Sequence, residues 1–166
     1  MASAGIIGMG SWGTALAFAL SSHGHEVTMW SRLKDEVLML GSKHEHVTKL
    51  PGVILPEDVL ATTSMEEVCS GKDILVFAVP SIFVRSTAKE AAPYIKEGQL
   101  VVNVAKGIEN DSLKLLSVIL EEELPKAQIA VLSGPSHAEE VGRQIPTTLV
   151  AGASTEKAAR RIQEIF

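Results

Sequence analysis

The amino-acid sequence predicts an α/β fold: a doubly wound, mostly parallel sheet with helices on both faces. Two observations predict it. Short apolar runs alternate with longer segments of helical spacing, a pattern that implies right-handed crossovers between parallel strands. The run Ile74–Val79 is apolar at every position, as suits a strand buried on both faces rather than one. The 166 residues fit one domain, 1–166. A composition 46% hydrophobic and 21% charged excludes a disordered chain. One cysteine, Cys69, excludes a disulfide framework and a multi-cysteine metal site. A net charge of −5 and 4% aromatic residues exclude a basic nucleic-acid surface and a base-stacking platform.

The elements follow in order. Ala4–Gly8 is a brief apolar strand ending in glycine, and Trp12–His23 is a helix closed by Gly24. Glu26–Ser31 is a strand, and Leu33–Leu40 a short helix ended by Gly41. Ser42–Pro56, with Pro51, Gly52 and Pro56, is a surface connection. Leu60–Thr62 is a short strand. A hydroxyl three residues before a carboxylate in Thr63–Glu67 starts a helix with a capping box. Asp73–Val79 is the buried strand, stopped by Pro80, and a helix then runs to Ala92. Leu100–Val104 is a strand and Ser112–Leu124 a helix closed by Pro125. Ile129–Leu132 and Thr147–Val150 are strands around a helix at His137–Val141. Thr155–Phe166 is a last helix with Ser154 as its N-cap. The apolar stretch Ala4–Leu20 lacks a basic flank and is broken by Gly8, Gly10 and Gly13, so a leader peptide is not expected there. With no long apolar span and a single cysteine, the expected location is cytoplasmic.

Gly8-Met9-Gly10-Ser11-Trp12-Gly13 fits the pattern G-x-G-x-x-G between a strand and a helix. In that context it marks a Rossmann-type, dinucleotide-binding turn. Gly8 permits the tight turn, Gly10 lets a pyrophosphate approach the backbone, and Gly13 lets the helix pack on the sheet. The pyrophosphate then faces free N–H groups at the positive end of a helix. A purely structural turn is the alternative. The second strand ends in Trp30-Ser31-Arg32, with no carboxylate where a ribose hydroxyl is usually bound; Asp35 and Glu36 come late. Arg32 can pair with a 2′-phosphate and Ser31 can donate a further bond, which favours NADPH or tolerance of both cofactors. The alternative is a solvated arginine.

Three further segments fall at strand ends, where ligands bind in open parallel sheets. Val79 and Pro80 can line the nicotinamide side of a crevice, or simply start a helix. Lys106, before Gly107, can bind a substrate phosphate or hydroxyl, although on the residues alone a solvated turn lysine is the plainer reading. Gly134 and Ser136 open a helix that can receive an anion, or form an ordinary loop. His44-Glu45-His46 has no third ligand, so no metal is expected. Cys69 has no partner base and reads as a small buried side chain.

Taken in order and spacing, Gly8–Ala17, Trp30–Arg32, Ala78–Ser81, Ala105–Glu109 and Leu132–Val141 resemble the bacterial NAD(P)-dependent sn-glycerol-3-phosphate dehydrogenases over essentially the whole chain. The resemblance implies NADP or NAD as cofactor, with Ser11 and Trp12 at the pyrophosphate turn, Arg32 at the adenosine end and Ala138 against the cofactor. It implies Lys106 in contact with cofactor and substrate, and Gly134 and Ser136 on glycerol 3-phosphate. The implied reaction is reversible hydride transfer between NAD(P)H and dihydroxyacetone phosphate, for glycerophospholipid synthesis; a homodimer is one assembly it allows. Lys49 stands where such proteins often carry an aromatic residue near the adenosine. The family also has a helical C-terminal substrate domain that carries a lysine proton donor. This chain is expected to lack that domain, and so to bind NADPH weakly and not turn over substrate alone. A 3-hydroxyacid or 6-phosphogluconate type of dehydrogenase and a non-catalytic nucleotide-binding module are the alternatives.

Overall fold

The computed structural model describes residues 1–166. Seven strands, β1 (Ser3–Ile7), β2 (Glu26–Trp30), β3 (Leu60–Thr62), β4 (Ile74–Phe77), β5 (Leu100–Asn103), β6 (Gln128–Ser133) and β7 (Val150–Ala153), form one sheet. Seven helices connect or follow them: α1 (Ser11–Ser22), α2 (Lys34–Lys43), α3 (Met65–Cys69), α4 (Val84–Ala91), α5 (Leu116–Glu123), α6 (Ala138–Gly142) and α7 (Glu156–Ile165). The spatial order is β3-β2-β1-β4-β5-β6-β7, parallel throughout except for the last pair. The chain winds outward from β1 to β3, then returns to the other side of β1 and winds outward again. The reversal between β1 and β4 opens a crevice at their carboxyl ends.

The period-two alternation of strand side chains divides the core. Ile74 and Val76 of β4 pack under α1 and α7, beside Leu16, Leu20 and Ile162. Leu75 and Phe77 face the other way, toward Val68 of α3, Ala88 of α4 and Ile119 of α5. All four β4 side chains are fully buried, and each such burial stabilises by roughly 1.5–3 kcal/mol. This is the doubly wound sheet with helices on both faces that the apolar run predicts. No helix is long and apolar enough to cross a membrane.

Several boundaries differ from those expected. Helix α2 runs through Gly41 to Lys43, and His44, at φ 52°, caps it by donating its N–H to the Leu40 carbonyl. An interior glycine costs only about 1 kcal/mol, less than the buried Leu40 contributes. Helix α5 begins at Leu116, not Ser112, because residues 108–115 close on themselves: Ile108 bridges to Leu115, and Leu113 takes φ 56°. The segment after Pro80 starts as a 3-10 turn, Ser81–Phe83, before α4, and another 3-10 turn carries Pro93. The last strand is Val150–Ala153 and not Thr147–Val150, and it runs antiparallel to β6. Ala151, Gly152 and Ala153 give almost no apolar signal, yet backbone pairing needs none. Thr155, not Ser154, caps α7, its hydroxyl accepting the Ala158 N–H at 3.3 Å. At α3 Ser64 caps the helix, accepting from the Glu67 N–H, but the reciprocal half of the capping box does not form: the Ser64 N–H donates to the Thr62 hydroxyl oxygen at 2.9 Å, and that hydroxyl donates to the Glu67 carboxylate at 2.5 Å.

Candidate functional site

Two cavities open at the carboxyl edge of the sheet. The first, about 550 Å³, follows the turn from β1 into α1. Its floor is set by Gly8, which donates its N–H to the Trp30 carbonyl at 2.9 Å and takes φ +125°. A Cβ on Gly8 would meet the Ala78 carbonyl at 2.8 Å, and one on Gly13 would lie 2.1 Å from the Gly8 oxygen. These two glycines hold the turn together. Gly10 differs, because a Cβ there would meet nothing within 4 Å. Its bareness serves nothing inside the protein and leaves clearance toward the cavity. Gly10 is also the N-cap of α1 without a side-chain cap, and no acidic residue occupies the first turn. The first N–H groups and the positive end of the helix are therefore uncompensated. Open backbone beside an uncompensated helix start fits a dinucleotide pyrophosphate.

Ser11, Ser31, Arg32, Val79 and Pro80 all line this cavity. Arg32 lies 6.0 Å from the centroid of the Trp30 ring and pairs with Glu90 of α4 at 2.6 Å. With side chains 64% and 42% exposed, that pair is weak and leaves the guanidinium able to turn. Ser31 does not offer the bond expected of it. Its hydroxyl donates to Glu36 at 2.5 Å and accepts the Leu33 N–H at 3.1 Å. Glu36, which comes too late in sequence to look like a site residue, is buried with its carboxylate turned into the cavity wall. Lys49 donates to the same carboxylate, and His46, almost wholly buried, lies 3.5 Å from it. Burial pushes the Glu36 carboxyl up, but the hydrogen bonds from Lys49 and Ser31 and the nearby Lys49 and His46 outweigh it and hold the group below the usual carboxylate range.

The second cavity, about 310 Å³, lies past the ends of β5 and β6. Lys106, Gly134 and Ser136 line it, and Trp12 from the glycine turn forms part of its wall. Lys106 is exposed but does not point away: its ammonium donates across the cavity to the Ser136 carbonyl at 3.4 Å. Gly134 is required by close approach, since a Cβ would lie 2.4 Å from the Thr148 oxygen. Asn103, buried at the end of β5, donates to the Ala105 carbonyl at 3.1 Å and leaves its own side-chain oxygen unpaired. Ala138 lines neither cavity. It packs in a small cluster with Ala15, Leu50 and Val53, against which Trp12 rests.

The loop behind Lys106 is held by one arginine. Arg85 of α4 reaches Glu109 at 2.6 Å, Glu122 at 2.9 Å and Glu123 at 2.5 Å. The Arg85 guanidinium and the Ser112 hydroxyl hold the Glu109 carboxyl down to about 2, and the three carboxylates raise Arg85 above its ordinary value. Cys69 is buried as expected, its thiol pushed up to about 12. Sequence reasoning missed Glu36, His46, Asn103 and Arg85. One signal was available for Glu36: it precedes the buried Leu40 by four residues and so shares its inward face.

The family model described as the NAD-dependent glycerol-3-phosphate dehydrogenase N-terminus matches residues 3–159. A glycerol-3-phosphate dehydrogenase (NAD(P)+) of Agathobacter rectalis is 55% identical over 166 residues, covering 100% of this chain and 49% of the relative. One from Bacillus subtilis is 43% identical over 97% of this chain and 48% of the relative. The chain thus spans about half the length of the curated relatives it matches. The crystal structure of glycerol-3-phosphate dehydrogenase from Coxiella burnetii superposes with a TM-score of 0.92 at 28% identity, covering 99% of this chain and 50% of that one.

Proposed function

The chain belongs to the NAD-dependent glycerol-3-phosphate dehydrogenase family, and on that premise we propose that it is the cofactor-binding part of an enzyme that moves hydride reversibly between NAD(P)H and dihydroxyacetone phosphate, giving sn-glycerol 3-phosphate. The observation that carries the reading is the convergence of Lys106 and Ser136 on a cavity walled by Trp12 of the glycine turn. A small phosphorylated substrate there lies directly beside a dinucleotide held at that turn. The family match favours this reading over a 3-hydroxyacid or 6-phosphogluconate dehydrogenase and over a non-catalytic module.

The cofactor, when bound, supplies the hydride. Gly10 and the first N–H groups of α1 hold its pyrophosphate, Arg32 its adenosine end, and Val79 and Pro80 line the space between. Lys106 puts positive charge where the substrate oxygen gains negative charge. Gly134 and Ser136 form the opposite wall. The proton that completes alcohol formation comes, in this proposal, from a lysine of a helical C-terminal substrate domain. The product feeds glycerophospholipid synthesis in the cytoplasm.

The test is tryptophan fluorescence, since Trp12 and Trp30 flank the two cavities. NADH is expected to quench it saturably, and dihydroxyacetone phosphate to bind the loaded chain in a manner lost in Lys106→Ala. The 166 residues alone are expected to give no reduction of dihydroxyacetone phosphate. Measurable turnover by them would overturn the assignment of the proton donor, and absent quenching the assignment of the cofactor.

A further inference from the structure

The cluster around Glu36 has no part in the reaction as described. Yet it forms the wall of the first cavity where the adenosine ribose of a dinucleotide comes to rest. The position at the end of β2 that usually presents a carboxylate to the ribose hydroxyls is here Ser31. A hydroxyl has one proton to donate, and that of Ser31 goes to Glu36 at 2.5 Å. The oxygen accepts from the Leu33 N–H at 3.1 Å and keeps one lone pair free. Lys49, the second donor at this wall, lies against the same carboxylate. His46 closes the cluster from within, 1% exposed, its Nε2 3.5 Å from the Glu36 carboxylate.

We propose that Glu36 sets the choice between NADH and NADPH, by holding Ser31 and Lys49 on its own carboxylate and away from a 2′-phosphate. The proposal rests on the dinucleotide reading above. A ribose diol brings its own donors and no charge, so it can donate to the free lone pair of Ser31. A 2′-phosphate needs donors and brings negative charge. At this wall it meets a hydroxyl whose proton is already donated, an ammonium already paired, and a carboxylate that repels it. Arg32 remains as its one free cation, and Arg32 must first leave Glu90. Glu36 thus acts from behind Ser31, as a carboxylate displaced from strand end to helix.

Glu36→Gln keeps the shape and removes the charge. In titrations of tryptophan fluorescence with NADH and NADPH, it is expected to raise affinity for NADPH relative to NADH by about tenfold, the size of one charge-assisted hydrogen bond. Adding Lys49→Gln should remove most of that increase, because the released ammonium is what receives the phosphate. A folded Glu36→Gln chain whose ratio stays within about twofold of wild type would overturn the proposal, since one charged hydrogen bond is worth more than that. If Glu36→Gln does not fold, Lys49→Gln alone, at a half-exposed side chain, decides: because Glu36 withholds that ammonium from the phosphate, NADPH and NADH should be affected alike, and a selective loss of NADPH affinity would show Lys49 already on the phosphate and overturn the proposal. Failure of the wild-type chain to bind either cofactor would instead remove the dinucleotide reading, and this inference with it.

Discussion

The two cavities share one sheet edge but are built from different materials. The first is made by backbone: Gly8 and Gly13 approach the Ala78 and Gly8 carbonyls so closely that no side chain fits between them. The second has one such approach, of Gly134 to the Thr148 carbonyl, but its Lys106 loop is held by side chains: it returns through Leu113, at φ 56°, and is tied to the body of the protein by Arg85 and three carboxylates. Steric closure is indifferent to pH and salt, whereas an ion network at the surface responds to both. The glycine turn is therefore the rigid half of the site and the Lys106 loop the adjustable half.

The largest expected effect separates two glycines of one motif. Gly13→Ala should destabilise the fold by roughly 1–3 kcal/mol, since the added methyl must displace backbone, and should abolish NADH binding with it. Gly10→Ser should leave the melting temperature nearly unchanged, Gly and Ser differing by only about a few tenths of a kcal/mol as N-caps, and still weaken NADH. Thermal unfolding beside fluorescence titration distinguishes them, and equal destabilisation by both would end the distinction drawn between Gly10 and its neighbours.

Next in size is Arg85→Ala. It should strip hydrogen-exchange protection from residues 107–115 and leave that of the Gly8–Gly13 turn intact. Acid should do the same to the wild type. The Glu109 carboxyl is lowered in the folded protein from 4.5 to about 2. Its pairing therefore stabilises fully above pH 4.5, and the contribution is lost as pH falls toward 2. Loss of protection in both regions together on acidification would show that they are one cooperative unit.

Smaller again is Arg32→Ala, expected to weaken NADPH by about tenfold, the scale of a lost charged hydrogen bond, and NADH far less. An unchanged ratio would remove Arg32 from the adenosine end. Smallest is the absence of an effect: Cys69, with its thiol pushed up to about 12, should resist alkylation at about pH 8 until the chain unfolds, because only an exposed thiolate reacts. Labelling of the native chain would show α3 to be looser than its packing on β1 implies.

Features set by local sterics and spacing are largely legible in the sequence, and those set by contacts between distant residues are not. The glycine turn, the buried β4 and the Ser64 cap of α3 depend on residues within a few positions of one another, and spacing alone reveals them. Side-chain spacing puts the last strand too early, because Ala151, Gly152 and Ala153 pair through backbone that apolar patterns do not report. Ser31 reads as a phosphate ligand in the sequence because nothing local shows that its hydroxyl is already engaged by Glu36.

The sequence by itself determined the class of fold, the glycine turn between β1 and α1, and the strand ends at which the two cavities open, since each follows from local sterics and from the period of apolar residues. Only the tertiary structure decided which charges are free. Lys49 meets Glu36 across 13 residues, and Arg85 meets Glu109 and Glu123 across 24 and 38. A cation's availability depends on what the folded chain brings against it, and that is a property of distance in space, which the order of residues does not contain.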